Sequence, residues 1–78
     1  PTTTIKYDLP EAKNVQVLIY DIMGRKVRTL IDEHQDIGYR SIHWDATDEY
    51  GRGVSAGMYV YTIQAGDFRQ VRKMILLK

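Results

Sequence analysis

The chain of 78 residues contains no cysteine. That removes a disulfide framework, a thiolate zinc site and a cysteine nucleophile together, yet leaves the compartment open, because exported proteins can fold without disulfides. A long apolar run is also missing: the longest is Met74 to Leu77, far short of the roughly 20 residues that span a bilayer. Charge of one sign is scarce. Eleven basic against ten acidic side chains leave a net charge of +1, too little for the electrostatic term on which nucleic-acid or anionic-membrane binding depends. No stretch repeats apolar residues at helical spacing between caps, so little or no helix is expected. Nothing at the start resembles a signal peptide, and a chain beginning Pro-Thr-Thr-Thr reads as a piece of something longer. The apolar fraction of 44% and charged fraction of 27% sit near globular averages, so an ordinary folded domain is expected. At this length it buries about 60% of its unfolded surface and has no volume for a deep pocket.

What is present is period two. Ile5, Tyr7 and Leu9 alternate with Thr4, Lys6 and Asp8 until Pro10 stops the run, as at a sheet edge. Val15, Val17 and Ile19 repeat the pattern, but Leu18 and Tyr20 are apolar too, which predicts a central strand covered on both faces. Asp21-Ile22-Met23-Gly24-Arg25 has the chemistry of a type I turn closed by a glycine bulge, leading to a third strand over Lys26 to Ile31. Residues 32–37, DEHQDI, form a polar connection that places His34 outside any strand. Gly38 opens a fourth strand with Ile42 and Trp44 on one face. Met58 to Ala65 and Phe68 to Leu77 then flank Gly66-Asp67, a two-residue hairpin turn. That turn sets 65 opposite 68, 63 opposite 70, 61 opposite 72 and 59 opposite 74. Tyr59, Tyr61, Ile63, Phe68, Met74 and Leu76 become the core face, and Met58, Val60, Val71, Ile75 and Leu77 the other. Six such strands predict a single all-β domain over 1–78, with two antiparallel sheets packed face to face.

The stretch WDATDEYGRGVSAG, residues 44–57, is where chemistry would be sought. Its acids, Asp45, Asp48 and Glu49, do not fit an EF-hand loop, which needs acids at alternate positions and a later glutamate. A nonstandard cation site from Asp45, Asp48 and backbone oxygens stays open beside a plainer account. In that account Asp48 to Gly51 repeats the Asp-x-x-Gly turn of Asp21 to Gly24. A glycosidase pair of Asp45 with Asp48 or Glu49 would need one carboxyl raised by burial, whereas acids on a glycine-rich surface loop are solvated. Ser41 and His43 share a strand face but suggest no third partner for nucleophilic catalysis. Tyr59 and Tyr61 with Arg72 could stack sugars or single-stranded nucleic acid, although alternate aromatics on an inward face are usually core. Arg69, Arg72, Lys73 and Lys78 make the final strand basic, either as an edge guarded by charge or as a recognition surface. No catalytic residue, cofactor-binding residue or metal ligand is assigned, and no enzyme activity is expected.

Taken in order, TTTIKYDLPEAKNVQVLIYDIMGRKVRTL, GYRSIHWDATDEYGRGVSAGMYVYTIQAGD and RKMILLK resemble the C-terminal sorting domains (type A) of the type IX secretion system. The resemblance is to the subgroup related to the immunoglobulin-like domain of flagellar hook-capping proteins, and it covers essentially the whole chain. Its most specific elements are IYDIMGRKVRTL (19–30), Trp44-Asp45 with Gly51, the Gly57-x-Tyr59 step, and the closing Lys73-Met74-Ile75-Leu76-Leu77-Lys78. Two departures stand out: Ala46 takes a place where glycine is common, and an upstream Asn-Pro is absent or cut short at Pro1.

The resemblance implies an immunoglobulin-like sandwich of six to seven strands, the seventh upstream or within 45–57. Asp21, Gly24, Trp44, Asp48, Gly51, Gly57 and Tyr59 would be its structural motif. It also implies a non-catalytic address label without cofactor, following an unknown cargo that enters the periplasm. The outer-membrane translocon, shuttle and sortase-like components of the type IX machinery would be its partners. The cargo would be secreted or attached to the cell surface, with Lys73 to Lys78 as the strand that is recognised and no insertion into the membrane. The competing expectation is a structural immunoglobulin-like module of a hook cap, an extracellular fibre or a multidomain secreted enzyme. A carbohydrate-binding module is a third.

Overall fold

The computed structural model describes residues 2–78; Pro1, where the upstream Asn-Pro was expected to end, lies outside them. The fold has six strands: β1 (Thr3–Leu9), β2 (Lys13–Asp21), β3 (Lys26–Gln35), β4 (Gly38–Trp44), β5 (Gly57–Ala65) and β6 (Phe68–Leu76). They form a two-stranded sheet, β1-β4, and a four-stranded sheet in the order β3-β2-β5-β6. Every pairing is antiparallel. This is the all-β sandwich of two antiparallel sheets that the alternation predicted, in the immunoglobulin-like form that the resemblance implied.

Alternation dictates which side chains meet between the sheets. Ile5 and Leu9 of β1 and Trp44 of β4 face Val15, Val17 and Ile19 of β2, Tyr59, Ile63 and Ala65 of β5 and Leu76 of β6, and all are buried. Trp44 meets Tyr59 edge to face, with centroids 5.2 Å apart and planes at 70°. That arrangement sets the positive edge of one ring against the negative face of the other.

The last hairpin has the register expected from its turn, from Ala65↔Phe68 to Tyr59↔Met74 and beyond. A positive φ at Gly66 (60°) but not at Asp67 makes the turn type II′. Phe68 departs from the expected core: it points inward yet is 55% exposed. The two-stranded sheet is too narrow to cover it, and Phe68 instead borders an apolar cleft with Leu9, Pro10, Ile63 and Ala65.

Three further expectations are corrected. Strand β3 runs on to Gln35, so Asp32 to Gln35 belong to a strand and not to a connection; they pair with Lys13 to Gln16. Backbone pairing needs no apolar side chain, and an edge that faces water tolerates polar ones. His34 therefore sits in a strand opposite Asn14, whose side chain it meets at 3.3 Å. Strand β2 is central, but only one of its faces is covered by a second layer. Leu18 and Tyr20 are half-buried among their own sheet neighbours, and the same outer face leaves Met58, Val71 and Ile75 exposed. Finally, 45–57 does not supply a seventh strand, and the described residues form six of the six to seven expected. Between β4 and β5 the chain makes one isolated bridge, Thr47↔Gly53.

Candidate functional site: the 45–56 excursion and the last strand

The two Asp-x-x-Gly segments fold alike. At Asp21 the carbonyl accepts from the Gly24 N–H at 3.0 Å, and the Asp21 N–H donates to the Arg25 carbonyl at 3.0 Å. Carboxylate Oδ1 accepts from the N–H groups of Met23 and Arg25, while Oδ2 accepts from Arg25 Nε. At Asp48 the same bonds recur, with Gly51, Tyr50 and Arg52 in the matching places. Gly24 and Gly51 hold φ of +83° and +78°, a left-handed conformation that costs a side-chain-bearing residue about 1 kcal/mol or more. The shared unit is thus Asp-x-x-Gly-Arg. Its fifth residue was readable in the sequence, as DIMGR and DEYGR, once the turn had been recognised.

Two aromatic handles pin the excursion to the core. The indole Nε1 of Trp44 donates to the Thr47 carbonyl at 2.9 Å, and the Tyr59 hydroxyl donates to the Ser55 carbonyl at 2.6 Å. Because these rings also pack edge to face on each other, one aromatic pair fixes the excursion near both of its ends. Ala46 lies between them, buried, with a φ of +63°; this left-handed geometry accounts for the fit of glycine at that place.

Every acid of the stretch has a structural bond. Asp45 accepts from the Thr47 hydroxyl and lies 3.6 Å from the Arg28 guanidinium. Arg28 itself donates to Thr47 Oγ1 and to the Asp48 carbonyl. The Glu49 N–H donates to the Val27 carbonyl at 3.1 Å, and its carboxylate accepts from the Thr29 N–H. The excursion therefore bonds to the outer edge of β3 and masks its backbone over Val27 to Thr29. Sequence reasoning missed this role, since neither Arg28 nor Thr29 carries a local signal of it.

These bonds decide the electrostatics. The Arg25 N–H, above all, holds Asp21 below the usual carboxylate value, as the Arg52 N–H does for Asp48 and the Thr47 hydroxyl for Asp45. A glycosidase acid needs the opposite shift. Among the described residues no three His, Asp or Glu side chains gather as a metal site. The remaining candidates are dispersed. His43 meets Thr4 across the strand pair, Oγ1 to Nδ1 at 2.9 Å, and not Ser41. Tyr61 stands opposite Arg72 as expected, but Tyr59 is committed to the core, which leaves no pair of free rings for stacking.

The segment Lys73 to Lys78 is divided by the same alternation. Leu76 is buried and Met74 half-buried against the core, whereas Lys73, Ile75, Leu77 and Lys78 are exposed. Strand β6 ends at Leu76, and it forms the edge of the sheet opposite β3.

Solved structures share this arrangement. Over 97% of the chain it superposes on FlgD from P. aeruginosa with a TM-score of 0.76 and 26% identity, covering 60% of that chain. Over 95% it superposes on FlgD from Xanthomonas campestris, whose description concerns hook capping in flagellar assembly, with a TM-score of 0.73 and 27% identity, covering 54% of that protein. The chain thus spans little more than half of these relatives. Dimeric latent PorU from Porphyromonas gingivalis contains a similar unit, with 96% of this chain matched to 9% of that one at a TM-score of 0.64 and 25% identity. No curated protein sequence matches. The family model described as the FlgD Ig-like domain matches residues 2–67, and on that match the chain belongs to the FlgD Ig-like domain family.

Proposed function

We propose that the chain is a non-catalytic immunoglobulin-like module, a building unit of a hook cap or of another multidomain assembly outside the cell, which contributes surface and not chemistry. The observation that carries this reading is the use of the excursion's acids. Asp45, Asp48 and Glu49 are all taken up by hydrogen bonds that build turns and mask the β3 edge, so the one stretch that could have held a reaction holds the fold instead. Similarity to hook-capping FlgD over nearly the whole domain supports the structural role.

A second reading is favoured by a different observation, the bare basic edge at β6. In it the domain is a sorting unit that follows a cargo through the periplasm to the outer-membrane translocon of a type IX system. Its shuttle and sortase-like components would then secrete the cargo or fix it to the cell surface after recognising Lys73 to Lys78. The unit occupies a small fraction of PorU, which fits a module appended to a larger protein.

One experiment separates the two. Residues 1–78 are fused behind a periplasmic reporter in a host with type IX machinery, and reporter on the cell surface is measured by protease accessibility. Retention in the periplasm is the outcome for a structural module, and surface exposure is the outcome for a sorting unit. Turnover of any substrate by the isolated domain would overturn both.

A further inference from the structure

The four-stranded sheet has two edges, and the chain treats them differently. Along β3 the excursion is bonded to Val27 and Thr29. Along β6 no strand of the described chain pairs on the outer side. The two-residue turn makes Ala65 and Phe68 a hydrogen-bonded pair, and the antiparallel pattern then alternates. Phe68, Gln70, Arg72, Met74 and Leu76 turn their N–H and C=O groups to β5, while Arg69, Val71, Lys73 and Ile75 turn theirs outward. From Arg69 to Ile75, at about 3.4 Å per residue, this row runs for roughly 20 Å.

The charged side chains of β6 are of one sign. Arg69, Arg72 and Lys73 lie on β6 and Lys78 just beyond it, with no acid within ion-pair distance of any of them among the described residues. Opposite them on β5 stand Gln64, Tyr61 and Val60, none of which is an anion. Val71 and Ile75, between the cations on the outer face, are 56% and 66% exposed. Cations along an edge discourage pairing with a like strand, and a second copy of this chain would be such a strand. A two-fold axis at Val71 sets Arg69 against Lys73, one at Arg72 sets that residue against itself, and one at Lys73 does the same.

We propose that the β6 edge is a strand-addition site for an extended acidic segment of another protein. Its acids would stand opposite Arg69, Arg72 and Lys73 and a β-branched residue opposite Val71. Directly opposed side chains lie about 4.5–5.5 Å apart, so the backbone supplies affinity and the charges supply choice. The inference rests on the reading of the chain as an interaction module and gives its recognised strand a register and a partner chemistry. It is independent of whether that partner belongs to an export machine, which the reporter fusion decides separately.

The test is a fluorescence-anisotropy titration of the intact chain with the labelled peptide Val-Thr-Glu-Glu-Val-Thr-Glu and its counterpart in which lysine replaces every glutamate. The acidic peptide is expected to bind at least about tenfold more tightly than the lysine peptide, to weaken as salt rises, and to protect the Val71 and Lys73 amides from hydrogen exchange. Val71→Pro removes one outward N–H and leaves the β5 ladder intact, a position where an edge tolerates proline. It is expected to weaken binding at least about tenfold. Should that variant lose its fold, Arg69→Glu with Lys73→Glu reverses the charge preference without touching the backbone. Equal binding of the two peptides, no binding at millimolar peptide, binding without protection at Val71 and Lys73, or dimerisation of the chain through β6 would each overturn the proposal.

Discussion

Replacing Trp44 with phenylalanine isolates what the indole does for the excursion. The smaller ring keeps an edge for Tyr59 but loses the N–H that the Thr47 carbonyl accepts at 2.9 Å. Three contributions follow. Loss of roughly 40 Å² of buried apolar surface at ~25 cal/mol per Å² costs about 1 kcal/mol. The space left at a fully buried site adds about 1 kcal/mol where the walls do not collapse. A carbonyl left without its donor adds about 1 kcal/mol. Partial collapse lowers the sum to roughly 2–3 kcal/mol, which in a domain of this length lowers Tm by about 10–20 °C. Urea unfolding followed by far-UV circular dichroism measures it, since the chain's one tryptophan is no longer there to fluoresce. Hydrogen exchange at the Thr29 and Glu49 amides should rise more than at Val17, because the excursion loosens before the core does. A loss below about 0.5 kcal/mol, the scatter expected of a surface change, would refute the assignment of Trp44 as the anchor. Tyr50→Ala, at a ring 82% exposed, is the control and should fall within that scatter.

The remaining expectations concern turns, edges and pH. Gly24→Ala and Gly51→Ala should each cost about 1 kcal/mol and by similar amounts, because both carry a positive φ and a new Cβ would meet nothing within 4 Å; unequal losses in urea unfolding would argue against equivalent turns. Glu49→Gln keeps an acceptor for the Thr29 N–H, whereas Glu49→Ala removes it. The alanine variant alone should therefore speed exchange at Thr29, at a cost of about 0.5–1 kcal/mol. Asp21 and Asp48 are held below their ordinary 3.8 in the folded chain, so the unfolded chain takes up protons first as the solution is acidified. Their contribution is complete above 3.8 and disappears as pH falls through that value toward the folded one. Asp21→Asn with Asp48→Asn should flatten the acid limb of a Tm-against-pH curve, and an unchanged limb would refute the attribution.

How much of this was legible depended on how far apart the interacting residues lie. The β5–β6 register followed from Gly66-Asp67, because a two-residue turn leaves one pairing for the strands it joins. The twin turns were legible for the same reason, each being closed by bonds no longer than five residues. The excursion's role was not, since Glu49 meets Thr29 across 20 positions and Arg28 meets Thr47 across 19. The polar end of β3 escaped notice because its pairing is made by backbone, on which side-chain polarity is silent. Leu18 and Tyr20 misled in the opposite direction: apolar residues on an outer face imply cover, but neighbours in the same sheet half-bury them without a third layer.

The acid-rich stretch shows what separates a reactive carboxylate from a structural one in so small a domain. A general acid needs a carboxyl that resists ionisation, which requires burial without donors. A chain of this length has little interior to spare, and its loops carry backbone N–H groups that β-ladders leave unpaired. Asp21 and Asp48 satisfy two such groups each and Glu49 satisfies one on a strand edge. At Asp21 and Asp48 the bonds to the ionised form lower the pKa, so the same geometry that completes the fold moves these two carboxyls away from what a general acid needs. Of the two edges of the four-stranded sheet, β6 is the one to which no acid of the described residues is bonded, and the cations beside it are what an acid from another chain would find.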